Sequence, residues 1–157
     1  DNNSAEYLLT EISGLPFGIM GEMLEGDCNV WRGMLFGMTS RYPYYKCYTG
    51  PSPVPVWKMR KSFENAEMIG FWEDQKPVWA DNDKVLCTTY YDRENSRLLC
   101  CFANFSDGEA SFKLCGDVLK NRSVYAPYME GIQEERKIAA DDSIILSEKG
   151  GIILIIE

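Results

Sequence analysis

From Lys84 to Glu157 the sequence is a ladder of short apolar runs joined by tight turns. Alternation with a period of two, broken by turn residues, predicts antiparallel strands, and strands of that kind must bury one face against a second layer. Asp107-Gly108 is a dipeptide favoured at the centre of a two-residue hairpin. A hairpin turning there sets Ala110, Phe112 and Leu114 opposite Phe105, Ala103 and Cys101 on one apolar face, with Ser111 and Lys113 opposite Asn104 and Phe102 on the other. Turn chemistry and alternation therefore agree on one register. An earlier turn over Arg93 to Ser96 sets Leu86, Thr88 and Tyr90 beside Ala103, Cys101 and Leu99. Leu98, Cys100 and Phe102 are apolar too, so this strand is expected at the centre of a sheet, covered on both sides. Further strands are expected at Ser123 to Tyr128, Arg136 to Ala140, Ser143 to Leu146 and Ile152 to Ile156, with Glu148-Lys149-Gly150-Gly151 turning a closing hairpin.

The first half reads differently. Leu8, Leu9 and Ile12 are followed by Gly14-Leu15-Pro16-Phe17-Gly18, which breaks the backbone pattern. From Asn29, a good N-cap, the residues Trp31, Met34, Leu35 and Met38 share one helical face. Gly33 and Gly37, four apart on that helix, would either admit a second backbone or fray the helix, at about 1 kcal/mol each in propensity. Arg41 to Val56 is expected as a loop, where Pro43, Pro51, Pro53 and Pro55 are interleaved with Tyr42, Tyr44, Tyr45 and Tyr48. A second helix is expected over Trp57 to Asn65, with Met59, Phe63 and Ala66 on one face. The expected fold class is α+β, mainly β: a helical and loop segment over residues 1–75, then an antiparallel β-sandwich over 76–157.

Composition narrows the function. The net charge of −8 disfavours nucleic acid and anionic membrane surfaces, and no apolar run reaches the roughly 18 residues of a membrane span. The sequence holds no histidine, which removes imidazole as a base or metal ligand. None of Cys28, Cys47, Cys87, Cys100, Cys101 and Cys115 forms a C-x-x-C pair, so no zinc knuckle is expected. Their even number permits disulfides, and the Asp107-Gly108 hairpin would bring Cys100 opposite Cys115; buried free thiols are the plainer alternative. No metal and no cofactor is expected. The chain starts at Asp1 with no apolar leader behind it, which suggests a processed product or an excised fragment.

Chemistry would then fall to carboxylates, tyrosines, lysines or cysteines. Glu11, Glu22 and Glu25 stand in the glycine-broken N-terminal part, but with 24 acidic residues in the chain a solvated surface role is the default for each. Asp81-Asn82-Asp83 offers oxygen ligands yet lacks the glycine and distal glutamate of a calcium loop, so an Asx turn is the simpler expectation. The best ligand-binding candidates are Tyr42, Tyr44, Tyr45, Tyr48 and Trp57, whose flat faces and polar edges suit sugar rings; cover for the junction between helices and strands is the alternative. Asn104-Phe105-Ser106 and Asn121-Arg122-Ser123 match the glycosylation triplet, a pattern that is common by chance.

The order Gly37-Met38-Thr39-Ser40-Arg41-Tyr42-Pro43, Ala66-Glu67-Met68-Ile69-Gly70-Phe71-Trp72, Leu98 to Phe105, Tyr125-Ala126-Pro127, Gly131-Ile132-Gln133 and Ile144 to Ile156 resembles the C-terminal region of amylase-like glycoside hydrolases, in which a (β/α)8 barrel is followed by a β-sandwich. The resemblance implies a catalytic barrel upstream in the same polypeptide as the partner, and an oligosaccharide or polysaccharide as ligand. A whole barrel needs about 250 residues, so no catalytic residue is assigned within this chain. The implied role is a non-catalytic C-terminal domain; an independent carbohydrate-binding module and a structural interaction domain are the alternatives.

Overall fold

A computed structural model describes residues 21–23, 29–40, 52, 54–139 and 141–157, with backbone only for 21–23 and 38–40. The N-terminal elements are β1 (Gly21–Met23), α1 (Val30–Leu35), β2 (Met38–Ser40) and α2 (Val54–Lys61). The strands that follow are β3 (Glu67–Ile69), β4 (Trp79–Ala80), β5 (Val85–Asp92), β6 (Arg97–Asn104), β7 (Ala110–Phe112) and β8 (Leu114–Cys115). After one turn of 3₁₀ helix at Asp117–Leu119 come β9 (Val124–Ala126), β10 (Arg136–Lys137), β11 (Ile144–Leu146) and β12 (Gly151–Ile156). The fold is α+β and mainly β, as its alternation predicts.

The main sheet has six antiparallel strands in the order β10-β9-β12-β6-β5-β3. Its centre is the β5–β6 hairpin, in the expected register: Leu86 faces Ala103, Thr88 faces Cys101 and Tyr90 faces Leu99. Ser96 takes the left-handed conformation that closes the turn (φ 54°). The Asp92 carboxylate holds that turn by accepting from the Asn95 amide (3.1 Å) and pairing with Arg97 (3.0 Å). β6 is buried along nearly its whole length because β12 flanks it on the other edge, with Leu154 opposite Cys100. The Gln133 side chain acts as a piece of strand, exchanging two hydrogen bonds of 2.9 Å with the Ile153 backbone beyond the end of β9.

The Asp107-Gly108 hairpin does not form. β7 pairs with β11 instead, and this ribbon, with the β4–β8 ribbon beside it, lies over one face of the main sheet. Phe112 stacks on Phe102 with ring centroids 4.9 Å apart, where the hairpin would have put it on the face of Cys101 and Ala103. Two physical causes are visible. The place beside β6 goes to the wholly apolar β12, which suits a strand covered on both faces, while β7 keeps Ser111 exposed and so belongs in an outer layer. The buried Asn104 side chain also curls the chain away from the sheet: it accepts from the Ser106 amide (2.8 Å) and donates to the carbonyls of Gly108 (2.7 Å) and Ser147 (2.9 Å). That engaged amide is no glycosylation acceptor.

Further corrections follow from the same topology. The turn before Gly151 carries the chain from the outer layer to the main sheet, so β11 and β12 are not partners in a hairpin. Cys115 sits opposite Trp79 and far in register from Cys100; Cys87, Cys100, Cys101 and Cys115 are all free thiols. Cys28 and Cys47 lie outside the described residues. Helix α1 stops earlier than the periodicity suggests, because Gly37 adopts φ 76° just past its end and Met38 enters a strand. A left-handed glycine at that place is a helix stop.

Candidate functional site

Across the face of the main sheet opposite the outer ribbons lie both helices. Met34 of α1, Val56 of α2 and Phe63 pack there on Tyr90, Leu99, Cys101, Ile153 and Ile155. β1 and β2 are paired in parallel with α1 between them, Gly21 opposite Met38 and Met23 opposite Ser40, so this corner is one βαβ unit. Sequence periodicity found its helix and missed its three-residue strands, which are too short to show an alternation.

The sheet satisfies the ends of α1. A helix leaves its last carbonyls without internal partners. Here the Tyr90 hydroxyl donates to the Met34 carbonyl and the Thr88 hydroxyl donates to the Leu35 carbonyl (2.8 Å). The Thr88 oxygen in turn accepts from the Phe71 amide (3.2 Å), so one hydroxyl links helix end, sheet and the segment after β3. The Cys101 thiol donates to the Trp31 carbonyl at 3.4 Å. At the other end Asn29 caps the Arg32 amide (3.0 Å) and donates to the Lys149 carbonyl (2.6 Å). Trp31 lies so close to the start of β12 that a Cβ on Gly151 would stand 2.5 Å from it.

Charge and burial serve this junction. The buried Arg32 guanidinium donates to the Asn104 carbonyl (3.1 Å) and lies 4.1 Å over the Phe105 ring; burial pulls its pKa down, with nearby Glu148 opposing. Burial raises the pKa of the Tyr90 phenol and of the Cys87 and Cys101 thiols, so all three stay neutral. Neutral buried thiols are poor nucleophiles and behave as small apolar groups. Among the described residues no group of three or more Cys, Asp or Glu side chains is arranged to hold a metal ion.

Tyr42, Tyr44, Tyr45 and Tyr48 lie outside the described residues, as do Glu11 and Glu25. Trp57 stands half-buried on α2, and Glu22 is the middle residue of β1. Asn82 makes the expected Asx turn, accepting from the Lys84 amide at 3.0 Å. One wall of a cleft of about 500 Å³ is built on that turn; Phe71, Asp74, Lys76, Trp79 and Asp83 line it together with Val85, Leu86 and Cys87 of β5. Sequence reasoning passed over this site. Its signals were Asp81-Asn82-Asp83, read only as a turn, and Trp79 in a segment rich in acidic residues, 43% exposed.

These features define an antiparallel β domain closed over the helix of a parallel βαβ unit. A family model for the C-terminal domain of glycoside hydrolase 123 matches residues 52–157, and one for the TIM-barrel domain of the same family matches residues 1–43. The chain belongs to glycoside hydrolase family 123. The matches support a glycoside hydrolase without singling out an amylase-like barrel. No curated protein matches the chain.

Proposed function

We propose that the chain is the non-catalytic C-terminal part of a glycoside hydrolase, whose β-sandwich supports a catalytic barrel in the same polypeptide. The observation that carries this is the docking of α1: Thr88 and Tyr90 of β5 donate to its final carbonyls while Met34 enters the core of the sheet. A βαβ unit is the repeating element of a (β/α)8 barrel, and the TIM-barrel match ends at residue 43. The division proposed is a barrel-end segment over 1–75 and a sandwich over 76–157, with β3 reaching across it to pair with β5. Most glycoside hydrolases act through carboxyl groups placed around the scissile bond, and such groups are assigned to the barrel.

A direct assay tests this. The 157-residue chain, incubated with a panel of p-nitrophenyl glycosides, is expected to release no nitrophenol beyond the buffer rate. Turnover at an enzymic rate would refute it. A second reading, an independent carbohydrate-binding module using Tyr42, Tyr44, Tyr45, Tyr48 and Trp57, is favoured by the half-exposed position of Trp57 on α2.

A further inference from the structure

The cleft beside Trp79 has the construction of a small-molecule site. Its volume of about 500 Å³ falls within the ~300–1,000 Å³ usual for ligand pockets. Its walls are stiff. Trp79 is held in β4 by pairing with Cys115 of β8, and Asp81, two residues on, accepts from the Lys113 amide at 2.7 Å. Asn82 is tied on both sides, accepting from Lys84 and donating to the Ser111 carbonyl at 3.0 Å. Lys76 reaches back to the Phe71 carbonyl at 3.0 Å. Asp74 and Asp83 enter none of the ion pairs among the described residues. The cleft therefore presents a flat, part-exposed indole, a second aromatic ring in Phe71 and two carboxylates with open acceptor positions.

We infer that this cleft binds one or two rings of a neutral oligosaccharide. The apolar face of a pyranose ring fits the indole, and its hydroxyls donate to Asp74 and Asp83. Two carboxylates against one ammonium disfavour an acidic sugar. The cleft also has a defined side. In a βαβ unit the helix runs back along the strands, so the turn from α1 to β2 lies at the strand starts. Phe36 is in that turn, and the Phe71 ring meets it edge-on with centroids 5.4 Å apart. Catalysis in (β/α)8 barrels takes place at the opposite, C-terminal face. The cleft is thus an anchoring site remote from the reacting bond, which rests on the reading of the chain as a barrel-supporting domain.

The test is calorimetric titration of the 157-residue chain with lactose, cellobiose and chitobiose in turn. At least one is expected to bind, Trp79→Ala to weaken it about tenfold or more, the contact being worth about 1.4 kcal/mol, and Tyr128→Ala, at an exposed ring outside the cleft, to leave it unchanged. If Trp79→Ala loses its native circular dichroism, Asp83→Asn is expected to weaken binding in its place. Binding of none of the three, equal binding in both cleft variants, or loss through Tyr128→Ala would each overturn the inference. None of those results would touch the barrel-supporting role, which fails on glycoside turnover by this chain.

Discussion

Thr88 and Tyr90 point from β5 into the same small space, where each hydroxyl meets a carbonyl at the end of α1. Taking away one of these donors leaves a buried acceptor with poorer company, a change that costs about 1–3 kcal/mol. Tyr90→Phe is expected to fall in that range by urea unfolding. Thr88→Val is expected to cost more, since it deprives both the Leu35 carbonyl and the Phe71 amide. Asp92 offers a pH test. Hydrogen bonds from Asn95 and Arg97 hold its carboxyl below its ordinary value of 3.8. A lowered folded-state pKa means stability that is present above 3.8 and is lost as pH falls through the lower folded value. Asp92→Asn is therefore expected to flatten the acid limb of a stability-against-pH curve below about pH 4, and an unchanged limb would refute the role given to this turn. The Asp92–Arg97 turn was readable in advance because everything that sets it lies within six residues.

At the scale of elements, local legibility has a limit. The register of β5 on β6 was readable because one tight turn and two alternations dictate it together. The fate of β7 was not, because it depends on a competition with β12, some forty residues later, for the place beside β6. A hairpin dipeptide is a local preference, and the burial of a wholly apolar strand outweighs it. Phe112→Ala checks the outcome. In the observed layer Phe112 is 2% exposed and stacks on Phe102, so truncation is expected to cost about 3–5 kcal/mol. A cost below about 1 kcal/mol would contradict the burial of this ring. The cleft was equally out of reach: Phe71, Trp79 and Asp83 are near in sequence, yet only the fold brings them together with Val85, Leu86 and Cys87 of β5 around one space.

For the whole molecule, the sheet and the helix of the βαβ unit form one body. Leu99, Cys101 and Ile153 on one face of the sheet have Met34 of α1 for cover, while Leu98, Cys100 and Leu154 on the other face have Phe112 and Ile144. The order of the longer elements was visible in the sequence, as was the mainly β class; the interdependence of the parts was not, because it is made by side chains that reach across 53 positions from Thr88 to Leu35 and 120 from Asn29 to Lys149. It follows that α1 should open only when the sheet does. Native-state amide hydrogen exchange measures this directly. The amides of Gly33 and Phe36, bonded to the carbonyls of Asn29 and Gly33, are expected to exchange with the same opening free energy as those of Leu99 and Cys101 in β6. Fast exchange at Gly33 and Phe36 while β6 stays protected would contradict the account.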